Sequence, residues 1–160
     1  MSKQAGSVVS ERRLAWGLGL AGLIPFIAAS GAAWWAPTAW QVTAIYGFTY
    51  YSAVILSFLG GVHWGSALQV SRLGNGRRLV LAMVPSLIAW PALMFDVVTG
   101  LWVLLAGFVL IGLYDVSRDG REGFPRWYTG LRCVLTGIVG AAHLVVLWRL
   151  MVGGWHQTRF

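Results

Sequence analysis

The chain has 160 residues, of which 58% are hydrophobic and only 11% charged. A soluble domain carries roughly a quarter of its residues as charges; a water-exposed globule is therefore excluded, and the expected architecture is an all-α, polytopic membrane helix bundle with about five transmembrane helices. The formal net charge of +7 would suit nucleic acid, but the basic residues lie in short links between apolar spans, where they read as topology and contact with anionic membrane lipids, so no nucleic-acid partner is expected.

In chain order, residues 1–13 form a polar arm, and a first apolar span over 14–33 is interrupted only by Pro25 and Ser30. A second span, 42–68, is long enough to tilt. The third and fourth, 79–95 and 98–116, are short and joined by a tight link at Asp96, so a re-entrant pair is the alternative to two crossings. A fifth covers 131–152, and 153–160 form a tail; 14–152 thus make one transmembrane domain. Residues 1–33 also have the basic start, apolar stretch and small residues of a signal peptide, but the stretch exceeds the usual length, and retention is expected.

Lys3, Arg12, Arg13, Arg72, Arg77, Arg78, Arg118, Arg121, Arg126 and Arg132 fall on one side of the proposed crossings, Arg149 and Arg159 on the other. That bias predicts a cytoplasmic N-terminus and an external C-terminus. Tryptophans 34, 35, 40, 64, 102, 127 and 155 collect near span ends, as interfacial aromatic belts do.

Small residues recur along the first two spans: Gly17, Ala21, Ala29 and Ala33, then Ala53, Ser57, Gly61 and Gly65. Such stripes let backbones approach closely, within one chain or between copies. Leu20-Ala21-Gly22-Leu23-Ile24-Pro25 and Leu81-Ala82-Met83-Val84-Pro85 suggest a parallel repeat of two hairpins.

Chemical signals are sparse. Cys133 is the sole cysteine, so cysteine-based zinc and iron–sulfur sites are excluded within one chain, and apolar surroundings predict a buried thiol. His143 shares a helical face with Arg132, Thr136 and Gly140; it is either a functional intramembrane group or a neutral ring bonded to a hydroxyl of a neighbouring helix. Gly74-Asn75-Gly76-Arg77-Arg78 lacks the lysine and spacing of a nucleotide loop and reads as a turn. Ser117 to Phe124 reads as a solvated mixed-charge loop. No catalytic, metal or cofactor motif is present, and no enzyme is expected.

Helix direction gathers the strongest candidates. The second and fourth spans end inside near His63 and Asp115, and the fifth begins inside with Arg132. An arginine–carboxylate pair at that depth is expected, with His63 beside it and Trp64, Trp127 and Tyr128 as walls. The group serves either as a ligand or proton site or as a clamp fixing the inner helix ends.

The run Tyr51-Ser52-Ala53-Val54-Ile55-Leu56-Ser57-Phe58-Leu59-Gly60-Gly61-Val62-His63-Trp64-Gly65, with Pro85-Ser86-Leu87-Ile88-Ala89-Trp90 and the segment from Pro125 to Thr136, resembles the uncharacterised family of transmembrane protein 69 and its bacterial relatives, domain of unknown function 3429. The resemblance spans residues 14–150 and implies a bacterial cytoplasmic (inner) membrane, or a mitochondrial one for eukaryotic relatives; it supplies no activity and no catalytic residue. The expected role is an accessory, assembly or scaffold subunit with a membrane-protein partner. The alternatives are a small homo-oligomeric transporter or channel, and lipid or quinone binding, for which Tyr50, Tyr51 and Trp90 are the aromatic candidates.

Overall fold

The structure, a computed structural model, describes residues 2–69 and 76–153, with side chains for 10–69, 76–117 and 120–153. Arg72, Gly74, Asn75, Trp155 and Arg159 lie outside the described residues, as do the tail from 154 and the side chains of Lys3, Arg118 and Asp119.

The described residues form helices α1 (Ser2–Ala21), α2 (Ile24–Trp35), α3 (Thr38–Gln69), α4 (Gly76–Ala92), α5 (Val97–Val116), α6 (Arg118–Arg121) and α7 (Arg126–Val152), with no strand among them. Taken as one span, 10–35 is long and apolar enough to cross a membrane, as are α3, α5 and α7. The exception, α4, has 17 residues and contains Pro85 and Pro91; it rises about 25 Å and lies at the short end of what can span the hydrocarbon. The molecule is a helix bundle of the integral-membrane class. Its outer faces carry large apolar side chains such as Leu18, Val54, Phe58, Leu113 and Trp148, as a protein solvated by lipid requires.

The first span is one rod broken near its middle. Pro25 has no N–H to give the Ala21 carbonyl, which removes one rung of the helix just where the rod breaks. The Leu23 amide turns back to Leu20 O at 3.0 Å, and the Tyr51 hydroxyl donates to the Gly22 carbonyl at 2.9 Å. Pro85, its counterpart in the suggested repeat, stays inside continuous α4, so the two segments differ where they should match.

α2 and α3 form an antiparallel hairpin with Phe26 edge-on to Phe48 at 5.3 Å. α5 occupies the centre, burying Leu101, Leu104, Phe108 and Ile111. α7 runs beside α1 and α2 in the same direction: Gly19 lies against Leu131 and Leu135, and Arg149 reaches Ala33. Buried Thr49 and Ser52 satisfy their hydroxyls on their own helix, at Ile45 O (2.9 Å) and Phe48 O (2.7 Å).

Close approach does occur, but not along the whole expected stripe. Gly61, Gly65 and Gly17 face open space. The contact glycine of α3 is Gly60, where a Cβ would lie 2.5 Å from Ala82 O on α4. The stripe is shifted by one residue, about 100° around the helix.

Candidate functional site

Three helices deliver one ionisable side chain each to the arginine-rich end of the bundle. His63 comes from the last turns of α3, Asp115 from the end of α5 and Arg132 from the second turn of α7. His63 Nε2 lies 2.7 Å from Asp115 Oδ1. Arg132 Nε donates to Asp115 Oδ2 at 2.8 Å, and Nη2 sits 2.7 Å from the same oxygen, in ionic contact but off hydrogen-bond direction. Both guanidinium nitrogens converge on one carboxylate oxygen, leaving the other to the imidazole. Paired with Arg132, Asp115 is an acceptor, so His63 Nε2 is the donor in this hydrogen bond. Exposures of 7, 4 and 6% seal the group from solvent.

The chain between α5 and α7 folds back over this cluster. Ser117 Oγ donates to Tyr114 O at 2.7 Å and accepts from the Gly120 amide at 3.1 Å. Gly120 lies directly against the Tyr114 carbonyl, leaving no room for a side chain. Gly123 has φ 89°, a left-handed turn that glycine permits, and the next residue, Phe124, sets its ring edge-on to His63 at 5.6 Å. Glu122 pairs with Arg78 of α4 (Oε2 to Nη1, 3.1 Å), and its carbonyl accepts from Arg78 Nη2 at 3.0 Å. This segment is therefore a structural strap, not the freely solvated loop its composition suggests.

The aromatic wall differs from expectation. Trp64, next to His63 and so a third of a turn away, faces outward at 39% exposure. Tyr114 takes its place, its ring 5.0 Å from His63. Tyr128 stacks on Phe124 at 4.6 Å, and Trp127 meets Tyr128 edge-on at 6.1 Å, one layer out. Cys133, beside Arg132 in sequence, is exposed and not buried, again because adjacent residues on a helix face apart.

Deeper in the bundle, His143 is fully buried. Its Nδ1 donates to Val139 O of its own helix at 2.9 Å, so no neighbouring hydroxyl is its partner. Nε2 has no hydrogen-bond partner, and the rings of Phe26, Phe48 and Phe108 surround the imidazole at 6.2, 4.8 and 5.4 Å. Thr136 does not reach it; its methyl packs toward Gly112 of α5.

Between α1, α3 and α7 lies a cleft of about 350 Å³ that composition gave no sign of. Its walls are almost wholly apolar. Tyr128 and Arg132 line one end, Thr136 the middle, and Phe26, Phe108 and Val139 the floor. The cleft therefore connects the edge of the ionic cluster with the cage that holds His143. Tyr51 is committed to Gly22, while Tyr50 and Trp90 point outward. Among the described residues, no three His, Cys, Asp or Glu side chains gather to hold a metal.

Fold and site together define a helix-bundle membrane protein with a sealed ionic cluster at one end and an amphipathic cleft beside it. The chain belongs to the family described as Protein of unknown function (DUF3429), whose model matches residues 11–148, a range that includes the cluster and the cleft. It is similar to Transmembrane protein 69 of Xenopus tropicalis, at 39% identity over 74% of this chain and 47% of that protein. The chain thus spans about half the length of the curated relative it matches. No solved structure matches.

Proposed function

We propose that this chain is a non-enzymatic accessory protein of the membrane that holds an amphipathic bilayer molecule, a lipid or a quinone, in the cleft between α1, α3 and α7. The observation that carries the reading is the gradient along that cleft, from Tyr128 and Arg132 at one end to Phe26 and Phe108 at the floor. Ligand sites typically combine such apolar walls with a few convergent polar groups. A subunit of this kind would present its bound molecule, and its outward tryptophans, to a membrane-protein partner or a second copy. The His63–Asp115–Arg132 cluster serves in this reading to fix the helix ends on which the polar rim is built.

A transport reading gains less support from the interior. Beyond the cluster, Leu56, Leu104, Phe48 and Phe108 fill the core, and the buried hydroxyls of Thr49 and Ser52 are spent on their own helix. The arginine bias supports an orientation with the cluster end at the cytoplasm, or at the equivalent side of a mitochondrial membrane. Reporter fusions near Gly76 and Pro37 test that orientation, and an external Gly76 would reverse it.

The binding reading is tested by native mass spectrometry of the full chain released from mild detergent. A bound small molecule should persist on the wild type and be lost from Ala15→Trp and Val62→Trp, which fill the cleft from opposite walls, while thermal stability is retained. A wild type with nothing bound, or binding indifferent to both substitutions, would end the proposal.

A further inference from the structure

We infer that the occupant is an anionic phospholipid, with one acyl chain in the cleft and its phosphate at the mouth formed by Arg12, Tyr128 and Arg132. This rests on the cleft-binding reading above and adds the chemistry of the head group.

The cleft's polar end offers donors. Both oxygens of Asp115 are engaged, one by His63 and the other by Arg132. At that end of the cleft the lining residues that carry donors are Arg132, whose guanidinium offers only N–H groups, and Tyr128, whose hydroxyl has no hydrogen bond among the described residues. A fitting head group must therefore bring acceptors.

Charge decides between a neutral carbonyl and an anion. Arg12 lies three residues before Ala15, which lines the cleft, and so falls on the same face of α1, one turn further toward the cluster end; Glu11, four residues before, shares that face. Arg12, Arg13, Arg77, Arg121 and Arg126 are all exposed at this end, against Glu11 as the exposed carboxylate among the described residues there. Phosphate meets arginine through charge-assisted hydrogen bonds, which a quinone carbonyl cannot match.

Dimensions fit one chain. From Tyr128 to Val139, α7 rises about 16 Å, close to half the roughly 30 Å hydrocarbon thickness that one leaflet's chains fill. A volume of about 350 Å³ lies at the small end of ligand cavities, so the second chain stays outside against the exposed face of α1, along Leu14 and Leu18.

The test uses the delipidated full chain in mild detergent. Phosphatidylglycerol, phosphatidylcholine of identical chains, and an isoprenoid quinone are titrated separately and followed by native mass spectrometry. One phosphatidylglycerol should bind per chain, with a preference over phosphatidylcholine of roughly five- to thirtyfold, as expected for one or two basic contacts. Arg12→Gln should remove most of that preference, Arg12→Lys should keep it, and Ala15→Trp should abolish binding of either lipid. Equal affinity for the two lipids, or tighter binding of the quinone, with both still blocked by Ala15→Trp, overturns the anionic-lipid inference and leaves the cleft reading standing. Binding that survives both Ala15→Trp and Val62→Trp overturns the cleft reading itself. Unchanged preference in Arg12→Gln, with the variant as thermally stable as wild type, removes Arg12 from the site and with it the proposed mouth.

Discussion

The two ends of the bundle handle their buried arginines differently. At one end, Arg132 is matched by a carboxylate and shares it with His63. At the other, Arg149 has no carboxylate among its partners: Nε donates to Ala33 O at 3.1 Å, Nη2 to Gln41 Oε1 at 2.8 Å, and the guanidinium sits 5.8 Å from the centre of the Trp34 ring. Ala33 lies in the last turn of α2, where carbonyls lack helical donors and a cation is favoured by the helix dipole. A half-buried cation is thus satisfied by neutral oxygens and a helix end, whereas a sealed one needs a counter-charge. The depth of each arginine sets the chemistry of its partner.

The largest expected effect comes from breaking the sealed end. Asp115→Ala strands Arg132 without its counter-charge, and thermal unfolding in detergent should show a loss of about 3–5 kcal/mol; a loss comparable to that of an exposed substitution would mean that Arg132 finds another partner. Next, Gly60→Ala forces a methyl against the Ala82 carbonyl three residues before His63 and should cost about 1–3 kcal/mol. Gly61→Ala, facing open space, should differ from wild type by no more than about 0.5 kcal/mol. Equal effects at the two positions would refute the register of α3 against α4.

Arg149→Met keeps the apolar stem but removes the donors, and should cost about 1–2 kcal/mol, clearly less than Asp115→Ala. The smallest effect belongs to Asp96 at the start of α5, whose Oδ1 accepts from the amides of Val98 and Thr99 at 3.1 Å each. Hydrogen bonds from Thr99, first through its side chain and then its backbone, hold this carboxyl below its ordinary value of 3.8. Its capping contribution is therefore complete above pH 3.8 and fades as pH falls through the lower folded value. Asp96→Ala should cost about 1 kcal/mol at neutral pH and flatten that acid limb. An acid limb identical in wild type and variant would assign it to another carboxylate.

The ionic cluster was legible because it depends only on helix direction and depth. Alternating spans put residues 63, 115 and 132 at one level, and a carboxylate at that level seeks an arginine. The walls were less legible because they depend on rotation. Trp64 and Gly61 are each one residue, about 100°, from the positions of α3 that face inward, and that span is apolar all round, so periodicity could not fix its phase. Phe124 reaches His63 only through the left-handed backbone at Gly123, a conformation that a glycine permits without announcing. Pro25 was a visible interruption, yet its consequence, a full break pinned by Tyr51, requires a partner from another helix.

That break gives α1 the mechanics of a lever. Its fulcrum is the Gly22–Leu23 turn, held by one hydroxyl, and Ser10 lies about 18 Å along the arm. The arm forms one wall of the cleft and leans on α7 at Gly19, close to the fulcrum. A swing of about 10° would move its far end by roughly 3 Å, opening the mouth on the side of α1. The buried core of α2, α3, α5 and α7 would not have to move at all. Admission from the side therefore requires only the bending of one joint.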